Sequence, residues 1–183
     1  MLEELMVSTA VIIALGSNLG SPSENVSMAI KRLGAILLPP TRHSTFWQSE
    51  PVKMEDDAAS FVNAVILGQT SMAPVELLNA LKEIEETMGR DHSLRDHSLR
   101  GHSLRDRRDL YQSRTIDLDI IAYGNEIIDL TSLVIPHPRA MNRLFVLLPL
   151  AQIYPEFCFP GQGLSLNSLI DKAPKIEISD LGL

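Results

Sequence analysis

The stretch Arg114-Thr115-Ile116-Asp117-Leu118-Asp119-Ile120-Ile121 decides how the chain folds and where its chemistry lies. Apolar residues alternate along it, which predicts a half-buried β-strand whose alternate side chains share a face. Asp117 and Asp119 then project side by side, while the apolar side chains between them point into a core. The stretch therefore predicts a rigid strand that presents two carboxylates.

Two neighbouring carboxylates repel each other unless a cation lies between them. Oxygen ligands at this spacing suit Mg²⁺, which takes one or two protein carboxylates and fills its other positions with water and phosphate oxygens. The alternative is that Asp117 and Asp119 line the solvated face of an edge strand. The segment 90–114 favours the metal site, because it holds seven of the sixteen Lys and Arg against four Asp in a chain of net charge −7. A cationic segment beside an acidic pair is typical of a site for a polyphosphate and its metal.

Length and composition predict one globular domain. At 183 residues, 45% of them hydrophobic, the chain can bury a core of its own. No apolar run reaches the roughly 18 residues that span a membrane, and the first six residues lack the basic region of a secretion signal. The single cysteine, Cys158, gives no disulfide framework. The acidic pI of about 5.2 argues against nucleic-acid binding. We expect a cytoplasmic monomer without membrane or nucleic-acid partners.

The order of predicted elements indicates an α+β fold of ferredoxin-like type. Strands are predicted at 7–15, 44–49, 60–68 and 114–121, and helices from Pro22 to Gly34 and from Pro74 to Gly89. This βαββαβ order predicts an antiparallel sheet with both helices on one face and the other face free to build a site. Within residues 1–183 we expect a core at about 7–158, an extra C-terminal helix at 141–153, and an extension at 159–183.

Three tandem copies of a pentapeptide ending in His-Ser-Leu-Arg occupy residues 91–105. A five-residue period matches neither a helix nor a strand, so the segment 90–113 is predicted to be a long loop. The recurring histidines, His92, His97 and His102, leave metal binding as an alternative. Local duplication explains them more simply.

Short motifs follow one another along residues 8–158. They are Ala14–Gly20, Phe61–Ala64, Glu85 with Gly89-Arg90, Arg114–Ile120, Ile135–Arg139 and Asn142–Phe145. Together they resemble the motifs of the 6-hydroxymethyl-7,8-dihydropterin pyrophosphokinase family. The resemblance implies a Mg²⁺-dependent enzyme of folate biosynthesis, which transfers the β,γ-diphosphate of ATP to the hydroxymethyl oxygen of the pterin and releases AMP.

The resemblance also implies roles for individual residues. Asp117 and Asp119 would hold two Mg²⁺ ions, and Arg90 and Arg114 would be further catalytic residues. The ATP site would comprise Glu85, Arg90, Arg107, Arg108, Arg114, Ile120, His137 and Arg143, of which the arginines and His137 would neutralise the triphosphate. The pterin site would comprise Ser49, Val52, Phe61, Asn63, Asp117 and Phe145, with the two phenylalanines sandwiching the flat ring and Asn63 reading its amide edge.

One part of the pattern departs from the family. Where an Arg-Trp-Gly-Pro run usually precedes the strand arginine, this chain has Leu110-Tyr111-Gln112-Ser113. The tryptophan lid over the pterin is therefore missing or replaced by Tyr111, and Arg107 or Arg108 stands in for the loop arginines. The repeats lengthen the same loop, which is expected to close over the substrates. We therefore expect an altered closure with an intact metal site.

Three other interpretations remain open at the level of sequence. An RNA-recognition module should carry exposed aromatics on its first and third strands, where Phe61 is the only aromatic residue. Another Mg²⁺-dependent transferase would account for the acidic strand but gives Phe61, Asn63 and Phe145 no role. An inactive homologue would account for the altered loop.

Overall fold

The apolar stretches of the sequence form the centre of a six-stranded antiparallel sheet in the computed structural model, which describes residues 8–51, 59–89 and 114–183. The sheet contains β1 (Thr9–Ser17), β2 (Leu38–His43), β3 (Trp47–Ser49), β4 (Phe61–Thr70), β5 (Asp117–Tyr123) and β8 (Ile178–Asp180), while β6 (Ile128–Leu130) and β7 (Leu133–Ile135) form a separate hairpin. The helices are α1 (Pro22–Ile36), α2 (Pro74–Thr87), α3 (Leu144–Ile153) and α4 (Leu166–Lys172), with a short 3-10 helix at Ala140–Asn142.

The strand order confirms the predicted ferredoxin-like fold. Neighbouring strands run β5-β1-β4-β3-β8, and β2 pairs with β4 beside β3. The four predicted strands thus lie in the order fourth, first, third, second, and each pair is antiparallel. The aspartate strand β5 and strand β3 are therefore separated by β1 and β4, the two longest strands of the sheet.

Helices cover both faces of the sheet. On one face Val11, Ile13 and Leu15 pack with the apolar sides of α1 and α2, as the helical periodicity predicts. On the other face Ile12 and Val65 pack with α3 and α4. The sequence analysis predicts that this second face is free to build a site, and the structure corrects this in part, because the C-terminal helices α3 and α4 cover some of it.

Several elements differ from the sequence-based expectation, among them β2, α1 and β8. The strand β2 was not predicted, because Pro39 and Pro40 argue against a central strand; it lies beside β4 with a register shift that spans the prolines. The helix α1 runs through Gly34 to Ile36, since an exposed glycine weakens a helix without ending it. The strand β8 was also missed, because only its pairing with β3, far away in sequence, makes it a strand.

Several predicted features lie outside the described residues. They are Val52, Arg90, Arg107, Arg108, Tyr111 and the repeats at 91–105. Among the residues that are described, no helix is long and apolar enough to cross a membrane.

A buried carboxylate connects α2 to the aspartate strand. Glu85, only 4% exposed, accepts a hydrogen bond from the backbone N–H of Leu118 at 2.8 Å. The Leu118 residue is itself only 5% exposed, so loss of the Glu85 acceptor would leave its N–H unpaired in the core. Glu85 therefore fixes the position of β5 on the helical layer.

We expect Glu85→Ala to lower the free energy of unfolding by about 2–3 kcal/mol, because the Leu118 N–H loses its acceptor. Urea unfolding followed by circular dichroism measures this change. Glu83→Ala is the matched control, since Glu83 is exposed on the same helix, and it should change stability by less than about 0.5 kcal/mol. Equal effects of the two substitutions would contradict the role assigned to Glu85.

Candidate functional site

The register of three strands places the functional side chains. Gly16 of β1 lies opposite Asp117 of β5 on one side and opposite Asn63 of β4 on the other. Directly paired residues in an antiparallel sheet point to the same face. Asp119 lies opposite Ala14 in the same way. The two carboxylates and Asn63 therefore face one space, whose floor between them is made by the small residues Ala14 and Gly16.

That space is a cavity which joins most of the predicted site. Its lining comprises Ala14, Leu15, Gly16, Ser49, Glu50, Phe61, Asn63, Arg114, Asp117, Asp119, Asn142, Arg143, Leu144, Phe145, Val146, Pro174 and Ile176. The predicted metal ligands and the described members of the predicted pterin set thus share one cavity. Pro174 and Ile176 were not predicted, because a tail without a recognisable motif carries no signal of its distant partners.

Arg114 is held at the entrance to β5 by its backbone. Its N–H donates to the side-chain oxygen of Asn18 at 2.8 Å, and its carbonyl accepts from the Asn18 N–H at 3.2 Å. The guanidinium of Arg114 forms an ion pair with Asp117. Asn18 is buried at the turn after β1, so the direction of Arg114 is set by the scaffold.

Asp119 lies in an unfavourable position for a negative charge. Burial and, to a smaller extent, the charge of Asp117 raise the pKa of Asp119 from its ordinary 3.8 to about 6. Arg143, Arg114 and Arg139 act in the opposite direction without cancelling the rise. The nearest nitrogen of Arg143 lies 3.9 Å from Oδ2 of Asp119. A bound cation would remove this electrostatic penalty.

His137 is uncharged at neutral pH. Burial and the nearby cations Arg143 and Arg139 lower the pKa of His137 to about 4. Its Nδ1 accepts a hydrogen bond from the Arg139 N–H at 3.2 Å, so the proton of the neutral ring is on Nε2, which lies 3.8 Å from Oδ2 of Asp119. In the free protein this neutral ring can donate a hydrogen bond from Nε2, and the role of His137 toward the triphosphate stays a prediction.

Two predicted nucleotide-site residues have side chains elsewhere. Glu85 is buried between α2 and β5, where it accepts the Leu118 N–H. Ile120 is 3% exposed and packs in the core beneath α1 and α2, on the face of β5 opposite the aspartates. The structure does not bring either side chain to the cavity, because strand alternation turns Ile120 away and the Leu118 hydrogen bond holds Glu85 inside.

The far side of the cavity is suited to a flat heterocycle. The Asn63 amide nitrogen donates to Ser49 Oγ at 3.0 Å and to the Trp47 carbonyl at 3.3 Å, so its orientation is fixed. Phe61 and Phe145 supply aromatic faces to the same cavity. The guanidinium carbon of Arg143 lies 5.3 Å from the centre of the Phe145 ring, which is a cation–π distance.

The donor set fits a hard cation that shares its ligands with a substrate. Among the described residues no group of three or more His, Cys, Asp or Glu converges as a metal site. Asp117 and Asp119 supply carboxylate oxygens only, and the raised pKa of Asp119 shows how poorly this pair tolerates charge without a cation. Such a pair matches Mg²⁺ bound with water and phosphate oxygens.

Comparison with known proteins identifies relatives along most of the chain. The 7,8-dihydro-6-hydroxymethylpterin-pyrophosphokinase (HPPK) family matches residues 12–155. The 2-amino-4-hydroxy-6-hydroxymethyldihydropteridine pyrophosphokinases of Pseudomonas aeruginosa and Haemophilus influenzae are 36% and 38% identical over 90% and 83% of this chain, and the matches cover 91% and 86% of those proteins.

Longer proteins match as well. The folic acid synthesis protein of Pneumocystis carinii is 37% identical over 93% of this chain, and a folate synthesis bifunctional protein of Arabidopsis thaliana is 41% identical over 78%. The chain spans only 21% and 26% of these two relatives.

Solved structures agree with the fold. A crystal structure of Plasmodium falciparum HPPK-DHPS superposes with a TM-score of 0.66 at 14% identity, covering 93% of this chain and 46% of that one. The family match over 12–155 and the two bacterial relatives show that the chain belongs to the 7,8-dihydro-6-hydroxymethylpterin-pyrophosphokinase family.

Proposed function

We propose that this chain transfers the β,γ-diphosphate of ATP to the hydroxymethyl oxygen of 6-hydroxymethyl-7,8-dihydropterin. The hydroxyl oxygen forms a bond to the β-phosphorus, the bond from that phosphorus to the α-bridging oxygen breaks, AMP leaves, and the hydroxyl proton is released. The observation that carries the proposal is the shared cavity, with carboxylates on β5 and heterocycle-binding residues on β4 and β3 facing one another across Gly16.

On the β5 side, the chain's own residues would hold the triphosphate. Asp117 and Asp119 would hold two Mg²⁺ ions, which supply charge neutralisation on the transferred phosphates when bound. Arg114 and Arg143 provide guanidiniums on the same side, and His137 offers its Nε2–H as a neutral donor. Arg90, Arg107 and Arg108 belong to this proposed set and lie outside the described residues.

On the β4 and β3 side, hydrogen bonding and stacking would recognise and orient the pterin. Asn63, fixed by Ser49 and the Trp47 carbonyl, directs its amide at the polar edge of the ring. Phe61 and Phe145 would stack on the two ring faces, and Asp117 would lie near the hydroxymethyl group. Holding acceptor and donor in one geometry supplies much of the acceleration in a reaction that needs no covalent intermediate.

The proposal takes the protein as a cytoplasmic monomer that acts on two small-molecule substrates. The single cysteine, which gives no disulfide framework, supports the cytoplasmic assignment. Gel filtration of the purified chain at a mass of 20.3 kDa is the check on the monomer.

The decisive experiment incubates the protein with ATP, Mg²⁺ and the pterin, and follows AMP and ADP separately. We expect AMP that depends on the pterin, and we expect Asp117→Asn to lower its rate by about a thousandfold or more, because the metal and its charge stabilisation are lost. Asp129→Asn, an exposed substitution on β6, is the control and should keep the wild-type rate. Pterin-independent ADP, or full activity of Asp117→Asn, would contradict the proposal.

Asp119→Asn should stabilise the metal-free protein at pH 8. Because the folded-state pKa of Asp119 is about 6 against an ordinary 3.8, its ionisation destabilises the fold above pH 6 and has no effect below about pH 4. The side chain is 37% exposed, so screening reduces the expected gain to about 1 kcal/mol, or about 2–4 °C in Tm.

The stability gain of Asp119→Asn over the wild type should shrink as the pH falls from 8 to 5. With Mg²⁺ and a non-hydrolysable ATP analogue added, the wild type should become more stable than Asp119→Asn. Only the wild type has both carboxylates to bind the cation. Thermal unfolding with and without the ligands measures both effects. A variant less stable than the wild type at pH 8 without metal would show that Asp119 has a structural role instead.

Gly16→Ala should weaken acceptor binding without disturbing the fold. The added Cβ would lie 3.4 Å from the side-chain oxygen of Asn63 and 3.9 Å from Cδ1 of Phe61, which are ordinary contacts, but it would fill the floor on which the ring rests. We expect the KM for the pterin to rise by about tenfold and the KM for ATP to change less.

The control for this substitution is Gly34→Ala, at an exposed position of α1 with nothing within 4 Å of the added carbon. It should leave both KM values unchanged while adding helix stability of up to about 1 kcal/mol. Equal changes of the two KM values in Gly16→Ala would contradict the placement of the pterin over Gly16.

A further inference from the structure

The tail of the chain returns to the cavity after the last helix. Pro174 and Ile176 line the cavity, although both lie beyond residue 155, where the family match ends. The functional scheme proposed above uses neither residue. Ile176 is partly buried and also packs against the core beneath α3 and α4.

The sheet order shows which end of the cavity Ile176 occupies. Ile176 comes two residues before β8, and β8 pairs with β3 so that Ile178 lies opposite Ser49. The order β5-β1-β4-β3-β8 places this edge on the far side of β3 from the aspartates. With strands about 4.8 Å apart, β3 lies about 14 Å from β5. Ile176 is therefore at the end of the cavity that holds Ser49 and Phe61, remote from Asp117 and Asp119.

The tail is fixed at this position from both sides. Upstream, Ala173 is 3% exposed in the core beneath α4. Downstream, the Glu177 carbonyl accepts from the Glu50 N–H at 3.1 Å, and the Glu177 N–H donates to the Glu50 carboxylate at 3.1 Å. Glu50 itself lines the cavity. The segment 174–176 is therefore attached, through Glu177 and Glu50, to the end of β3 that carries Ser49. Its position depends on the position of β3.

We infer that the segment 174–176 is the outer wall of the acceptor subsite, and that Ile176 limits the size of the ring system admitted there. The inference rests on the proposed function. Pro174 and Ile176 present no polar side-chain group, so their contribution is to contact the apolar rim of a heterocycle whose polar edge faces Asn63. Selection at this wall is by shape, which discriminates against added ring substituents.

The test compares Ile176→Trp and Ile176→Ala with the same substitutions at Ile178. Ile178 is the matched control, since it has the same side chain, is partly buried against the same core and does not line the cavity. The readouts are the KM for the pterin and for ATP in AMP formation, and direct binding of 6-hydroxymethylpterin and of a non-hydrolysable ATP analogue with Mg²⁺.

We expect Ile176→Trp to weaken pterin binding by about 30-fold or more and to leave binding of the ATP analogue within about twofold, because the indole fills only the acceptor end. Ile176→Ala should bind pterins with an additional ring alkyl group better than the wild type does. The Ile178 variants should change the binding of the pterin and the binding of the ATP analogue by the same factor. Thermal unfolding of each variant shows whether it is folded. If Ile176→Trp does not fold, the test is decided by the binding measurements on Ile176→Ala.

Two results would overturn the inference, and they are distinguishable. If the wild type binds pterin but the Ile176 variants affect it no more than the Ile178 variants, the wall does not determine acceptor size, while the proposed function stands. If the wild type neither binds pterin nor forms AMP from it, the proposed function fails, and this inference fails with it.

Discussion

The site depends on one constraint, which is the register that aligns Asp117, Gly16 and Asn63 in a single row across three strands. Shifting any of these strands by one residue would turn its side chains to the opposite face, so the metal-ligand candidates and the acceptor candidates can meet only in this register. The apolar alternation that buries Ile13 and Leu15 beneath α1 and α2 holds the register in place. The hydrophobic core therefore determines the geometry of the polar site.

The row formed by Asp117, Gly16 and Asn63 explains why small residues lie at the centre of the site. A large side chain at position 16 or 14 would occupy the space between the carboxylates and Asn63, and the two positions hold glycine and alanine. Strand interiors usually favour β-branched residues, so these small residues weaken the strand locally. The raised pKa of Asp119 is a second local disadvantage. Both features make this part of the sheet less stable than an apolar surface and leave room and charge for ligands, which is a stability–function trade-off.

Sequence alone predicted those parts of the structure that follow from local periodicity. The alternation around Asp117 and Asp119 indicated both the strand and the shared direction of the carboxylates, and the strand and helix order indicated the ferredoxin-like fold. The charge of His137 could not be predicted, because its pKa depends on Arg139, Arg143 and burial in three dimensions. The tail strand β8 could not be predicted either, since three residues have no periodicity and only pairing with β3 defines them.

Asn18 shows how the scaffold controls the ends of the segments around the site. Its backbone and side chain bind Arg114, the first described residue after segment 90–113, and its amide nitrogen donates to the carbonyl of Ala59 at 3.4 Å, the first described residue after segment 52–58. One buried side chain at the end of β1 thus fixes where both segments rejoin the sheet. Because Arg114 is ion-paired with Asp117, this anchor also sets the charge beside the carboxylates. The turn after β1 is therefore a positioning element, since the contacts of Asn18 determine where the guanidinium of Arg114 lies beside Asp117.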